Sequence, residues 1–186
     1  FHTRRKLIVA GHFKSKFHEA NEKEAETVYL SQGTVYSRDQ EEDEEYKYLF
    51  EKLTYPLEGI LPFERVSEVN IWASAASPVA SSLHYDAYPN VLCAVQGFKS
   101  VHLWPPDAVE VQPYPVHSIS AHFSTLDLSS LPAPQLSVTL SSPEQALFIP
   151  EGYWHQVTSS PRSLGVNYWF ESDPSWLVSD LYLAKK

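Results

Sequence analysis

Residues 84–104 read HYDAYPNVLCAVQGFKSVHLW, and the reading of this stretch decides the fold. Asn90 to Gln96 and Ser100 to Trp104 are short apolar runs bounded by turn residues, the pattern of β-strands. Gly97-Phe98-Lys99 between them predicts a tight hairpin turn. The same pattern continues on both sides. Val69 to Ala73 precedes it, and Leu136 to Leu140, Gln145 to Ile149, Trp154 to Ser159 and Leu164 to Phe170 follow. A spacing of about ten residues per strand predicts an antiparallel sandwich or barrel. Thr27 to Ser31 reads as an earlier, isolated strand.

Between the strands, Pro105, Pro106, Pro113, Pro115, Pro132 and Pro134 interrupt regular structure. The acidic run Glu41 to Glu45 leads into Tyr46, Leu49, Phe50 and Leu53 at helical spacing, with Ser37 and Gln40 resembling a capping box. A short amphipathic helix is predicted there, its acidic residues near its positive end. Asp173-Pro174 looks like a second helix start, with Leu177, Leu181 and Ala184 on one face over 174–184. No linker or internal repeat divides the sequence, so one domain is expected over 1–186. Arg4-Arg5-Lys6 reads as solvated surface.

The 186 residues are 43% hydrophobic and 20% charged, an ordinary globular balance. The net charge of -9 disfavours nucleic acid as a partner, because phosphate binding calls for a basic surface. No apolar run reaches the roughly 20 residues of a membrane-spanning helix. Cys93 is the single cysteine, which excludes an internal disulfide framework and a thiolate-rich zinc site. It suits a reducing compartment, cytoplasmic or nuclear. The sequence starts at Phe1 without a signal-peptide pattern and contains no Met, which points to a segment of a longer protein.

His84-Tyr85-Asp86 places an imidazole and a carboxylate two residues apart, hence on one face of a strand. A third ligand must come from elsewhere. His155 is the best candidate, since Phe148 to His155 reads as a strand end, a turn and a second strand start. Two imidazoles and one carboxylate on one face of a metal suit non-haem Fe(II). Zinc accepts a similar set. Two unrelated half-buried histidines are the bland alternative. Taken alone, Lys99 is a solvated edge residue, Tyr29 a core tyrosine, and Asn90 and Asn167 turn caps.

The pieces His84 to Asn90, Gln96 to Lys99, Leu103 to Pro106, Phe148 to His155 and Asn167 to Trp169, in that order and spacing, resemble the JmjC-type, cupin-fold 2-oxoglutarate oxygenases. The resemblance covers about residues 27 to 171. Within that family, Pro105 to Asp107 and Pro113 to His117 are most similar to the asparaginyl hydroxylases. The resemblance implies a mainly β fold, a double-stranded β-helix of the cupin or jelly-roll kind with flanking short helices. It implies Fe(II) and 2-oxoglutarate as cofactors, with ascorbate as reductant in vitro. The metal ligands carry over to His84, Asp86 and His155. Lys99 takes the position of the lysine that anchors the distal carboxylate of 2-oxoglutarate. Tyr29 and Ser81 match hydroxyl-bearing positions around the same molecule, and Asn90 and Asn167 match supporting amides near the metal and the co-substrate.

The activity so implied is hydroxylation of a C–H bond in a side chain of a protein or peptide substrate, with succinate and carbon dioxide as co-products. His122, Phe123 and Ser31 stand where the asparaginyl hydroxylases place polar substrate contacts, so the chemistry is expected to persist with a different substrate. The alternatives are an N-methyl-lysine demethylase of the JmjC type, a non-catalytic cupin-like binding module, an RNA-modifying enzyme and a zinc cupin enzyme. The last would not need a co-substrate lysine at Lys99. The C-terminal dimerisation helices of the asparaginyl hydroxylases have no clear match, so the oligomeric state is left open.

Overall fold

The computed structural model describes residues 29–38, 62–108, 111–126 and 128–172. The helices expected over 46–53 and 174–184, the Arg4 to Lys6 cluster and the first two residues of the early strand lie outside these residues. The described residues form ten strands: β1 (Tyr29–Ser37), β2 (Val66–Ser74), β3 (Val79–Ala80), β4 (His84–Tyr85), β5 (Asn90–Gln96), β6 (Lys99–Trp104), β7 (Leu136–Leu140), β8 (Ala146–Ile149), β9 (Trp154–Ser159) and β10 (Leu164–Phe170). Short 3-10 turns occupy Phe63–Arg65 and Leu128–Ser130. Among the described residues, no helix is long and apolar enough to cross a membrane.

The strands make two antiparallel sheets. One runs β1-β2-β10-β5-β8 and the other β3-β9-β6-β7, with β4 also paired to β9. Neighbours in sequence repeatedly fall in opposite sheets, as β5 and β6 do, and β8 and β9. This is the jelly-roll winding of a double-stranded β-helix. The core between the sheets joins Leu92 and Ala94 of β5 and Ile149 of β8 to Val101 and Leu103 of β6 and Leu140 of β7. Removing one such valine or leucine from water contributes about 1.5–3 kcal/mol. Val91 and Cys93, on the opposite face of β5, are buried as well, with Val69, Val166 and Tyr168. The sheet that carries them is therefore covered on both sides. Burial pushes the Cys93 thiol up to about 11, so it behaves as a small apolar side chain.

Two expectations are corrected. Gly97 does turn the backbone, with φ at 69°, but the turn is not a hairpin. A Cβ at Gly97 would meet Ser160 Oγ at 2.6 Å and Ser163 Cβ at 2.8 Å. The Phe98 N–H donates to Ser160 Oγ (3.0 Å), and the Ser160 N–H donates to the Phe98 carbonyl (3.0 Å). These contacts fasten the corner to the 160–163 turn and send β5 and β6 into different sheets. Nor is the early strand isolated. It runs on to Ser37 and pairs with β2, through register shifts between Leu30 and Gly33 and between Thr34 and Tyr36 that hide its alternation.

Candidate metal centre

Strand β4 pairs with the start of β9 so that His84 lies opposite His155. Their ring centroids are 4.3 Å apart. Asp86 follows β4 directly, and its backbone carbonyl accepts from the Gly152 N–H (2.9 Å), where Gly152 turns at φ 75° between β8 and β9. The carboxylate is thereby brought to the two rings, with Oδ1 3.9 Å from His84 Nε2 and Oδ2 3.3 Å from His155 Nε2. One donor atom from each residue lies within 4.8 Å of the others.

Both rings are aimed by their other nitrogen. His84 Nδ1–H donates to the Ser82 carbonyl (2.8 Å), and His155 Nδ1–H donates to the Tyr153 carbonyl (2.9 Å). In this tautomer each Nε2 lone pair faces the carboxylate. Burial pushes the His84 imidazolium pKa down, the adjacent His155 adds to this, and Asp86 opposes it. The neutral imidazole, the ligating form, is thereby favoured. Asp86 has support of its own. Asn167 Nδ2 donates to Asn90 Oδ1 (2.7 Å), and Asn90 Nδ2 reaches Asp86 Oδ2 at 3.4 Å.

The three donors open onto a cavity of about 420 Å³ between the sheets. Along β9, His155, Val157 and Ser159 face inward at alternate positions. Lys99 lies opposite Ser159 in the β6–β9 ladder. Its side chain is 1% exposed, and Nζ donates to Ser159 Oγ at 2.7 Å and to the Trp72 carbonyl at 3.5 Å. Its stem crosses Gly165, where a Cβ would meet Lys99 Cε at 2.8 Å. Tyr29 stands close, with its ring centroid 5.8 Å from Nζ. Burial pushes the Lys99 pKa down to about 8 and also raises that of Tyr29. Among the described residues no carboxylate pairs with this ammonium.

Of the residues singled out in the sequence, His84, Asp86, His155, Lys99, Tyr29, Ser81, Asn167, Ser31, His122 and Phe123 all line this cavity. Asn90 sits behind it, between Asn167 and Asp86. Ser81 Oγ accepts from the Val157 N–H at 3.0 Å, which leaves its own proton to donate. His122 and Phe123 stack on one another and Phe123 leans on His84, with centroids 4.1 Å and 5.7 Å apart. Ser159, Gly165, Trp72 and Gln32 belong to the site and were missed. A correct β6–β9 register would have found Ser159, and the lack of a side chain at Gly165 becomes meaningful only once Lys99 is seen to cross it. Trp72 and Trp169 line the cavity with indole N–H groups unpartnered among the described residues, as is the buried amide of Asn70, the cross-strand neighbour of Asn167.

The donor set fits a divalent metal such as Fe(II), because two neutral imidazoles and one carboxylate on one side leave the remaining coordination positions free. The ammonium at the far end of the same cavity, without a carboxylate partner among the described residues, fits the distal carboxylate of a dicarboxylic co-substrate.

Comparison with known proteins places this geometry in context. The chain is 34% identical over 158 residues to the lysine-specific demethylase JMJ31 of Arabidopsis thaliana, an alignment covering 78% of this chain and 28% of that protein. It is 30% identical over 156 residues to HSPB1-associated protein 1 of Homo sapiens, covering 72% and 32%. The chain therefore spans about a third or less of the length of these relatives. Among solved structures it is similar to that of YcfD, a ribosomal oxygenase from Escherichia coli, in complex with cobalt and 2-oxoglutarate. The TM-score is 0.44 at 17% identity, over 69% of this chain and 30% of that one. The cupin-like domain family matches residues 3–175, a span that holds both sheets, His84, Asp86, His155 and Lys99, and the chain belongs to that family.

Proposed function

We infer that the protein is an Fe(II)- and 2-oxoglutarate-dependent dioxygenase that hydroxylates a C–H bond in a side chain of a protein substrate. One observation carries the reading. A buried ammonium without a carboxylate partner among the described residues and a two-histidine, one-carboxylate cluster share one cavity. His84, Asp86 and His155 hold the metal, with Asn90 and Asn167 keeping the carboxylate in place. Lys99, with Tyr29 and Ser81, binds the far end of 2-oxoglutarate. His122, Phe123 and Ser31 face the substrate. The metal, 2-oxoglutarate and dioxygen would supply the oxidising chemistry, with one oxygen atom passing to the substrate C–H bond, the other to succinate, and carbon dioxide released. The protein's own residues bind, orient and exclude water.

The similarity to a plant protein named a lysine-specific demethylase supports N-methyl-lysine demethylation as a second reading. Hydroxylation is favoured because Asp86, already committed to the metal, is the one carboxylate lining the cavity among the described residues. A methylated ammonium would find no further counter-charge there. The test is succinate release from 2-oxoglutarate with Fe(II) and ascorbate, followed by mass spectrometry of candidate proteins. A gained oxygen supports hydroxylation, and a lost methyl supports demethylation. His84→Ala, Asp86→Ala and His155→Ala, assayed without added chloride, should each abolish turnover. Full activity in Asp86→Ala would remove the metal assignment.

A further inference from the structure

Ser31 and Gln32 both line the cavity, although consecutive residues of a regular strand face opposite sides. The cause is a β-bulge. Leu30 pairs with Ala73 and Gly33 with Ile71, so β1 carries one residue more than β2 over this interval. Gln32 absorbs the extra residue with φ at 53°, in the left-handed region that favours glycine. Gly33 lets the two strands close up again, since a Cβ there would meet Ile71 Cγ1 at 2.9 Å. A non-glycine residue in this conformation costs about 1–3 kcal/mol, and glycine would relieve that cost. The protein instead keeps a side chain here, exposed and at the cavity wall. Its carboxamide has no hydrogen-bond partner among the described residues. His122 and Phe123 supply further wall residues of the same cavity.

We propose that Gln32 is a substrate-binding residue that holds the main chain of a peptide substrate across the cavity mouth. The proposal rests on the reading of the protein as a protein oxygenase. A primary carboxamide offers one acceptor and two donor hydrogens on one planar group. It therefore complements the N–H and C=O of an extended peptide, whatever side chain that peptide sends toward the metal. The bulge places Gln32 on the cavity wall beside Ser31, where the alternation of a regular strand would place it on the other face. Bulges beside active sites commonly re-aim a side chain in this way. The ligand class so assigned is a peptide backbone, recognised through one donor and one acceptor contact.

The experiment uses the whole protein with Fe(II), 2-oxoglutarate and a pooled library of synthetic dodecamer peptides. Modified peptides are identified by mass spectrometry and succinate is measured in parallel. Variants are Gln32→Gly, which removes the amide and relieves the backbone, and Gln32→Asn, which keeps an amide on a residue that tolerates this conformation. Gln32→Gly is expected to melt at the same temperature or higher, and to raise the KM of the modified peptides about tenfold, the worth of two neutral hydrogen bonds. Gln32→Asn is expected to recover part of the loss. Unchanged peptide KM in Gln32→Gly overturns the proposal. So does succinate release by the unmodified protein with no peptide altered, an outcome that leaves the oxygenase reading standing. No succinate under any condition sinks the oxygenase reading itself, and the proposal with it.

Discussion

Lys99 Nζ sits 2.7 Å from Ser159 Oγ, across the ladder in which these two residues are partners. A neutral hydroxyl is thus the nearest company of an ammonium that is 1% exposed. A buried charge without a counter-charge among the described residues is costly, and a carboxylate-bearing ligand would relieve that cost.

Replacing Lys99 by methionine keeps the volume and removes the charge. The KM for 2-oxoglutarate should rise about 10- to 150-fold, the equivalent of the 1.5–3 kcal/mol of one charge-assisted bond. Mn(II) affinity measured without co-substrate should change little, since Lys99 is not among the grouped metal-ligand donors. An unchanged KM would move the anchoring role to Tyr29 or Ser81.

The same lysine makes stability depend on pH. Burial lowers its pKa from 10.5 to about 8 in the folded protein. Between those values the unfolded state holds a proton that the folded state has lost, so the Lys99 contribution to stability rises with pH. Below about 8 the full penalty of the buried charge is present, and above 10.5 it is gone. Urea melts of the unliganded protein and of Lys99→Met should therefore converge as pH climbs through this window, after correction for the constant effect of the substitution. Parallel curves would contradict the assignment.

Gly165→Ala should injure co-substrate binding more than metal binding. The new methyl would stand 2.8 Å from Lys99 Cε and 3.3 Å from the Cys93 carbonyl. The backbone cannot retreat inside a paired strand, so the lysine must, and Nζ moves with it. A several-fold rise in the 2-oxoglutarate KM is expected, with an overpacking cost of about 1–3 kcal/mol in a denaturant melt. Equal losses of metal and co-substrate affinity would show a general collapse instead.

Asn90→Ala interrupts the run of amides from Asn167 to Asp86 and leaves the Asn167 amide without its acceptor. Co(II) affinity, followed by its visible absorption, should fall about 10- to 100-fold. Stability should fall by about 1–3 kcal/mol, the cost of an unpaired buried amide. Wild-type Co(II) affinity in this variant would show that Asp86 holds its position unaided.

Strands β5, β7, β9 and β10 could be read from the sequence to their end residues, because each is bounded by turn residues. Lys99, read as part of the turn, is the first residue of β6, because it already pairs with Ser159 in the β6–β9 ladder. β3 and β4, two residues each, are too short to carry a period and exist only through their pairing with β9. β1 was cut short because its bulges break the alternation on which such reading depends. The cluster of His84, Asp86 and His155 was legible because His84 and Asp86 are local in sequence and His155 follows a marked turn. The places of Ser159 and Gln32 were not, as they arise from register and from a left-handed backbone.

Strand β9 is the shared partner of β3, β4 and β6. During synthesis, a nascent polypeptide ending before residue 154 has made His84 and Asp86 but not their third companion, and Lys99 but not its hydroxyl partner. Both ends of the cavity are completed by the same six residues, Trp154–Ser159. A polypeptide that stops short of this segment therefore has neither the full set of three donors nor the hydroxyl that meets Lys99.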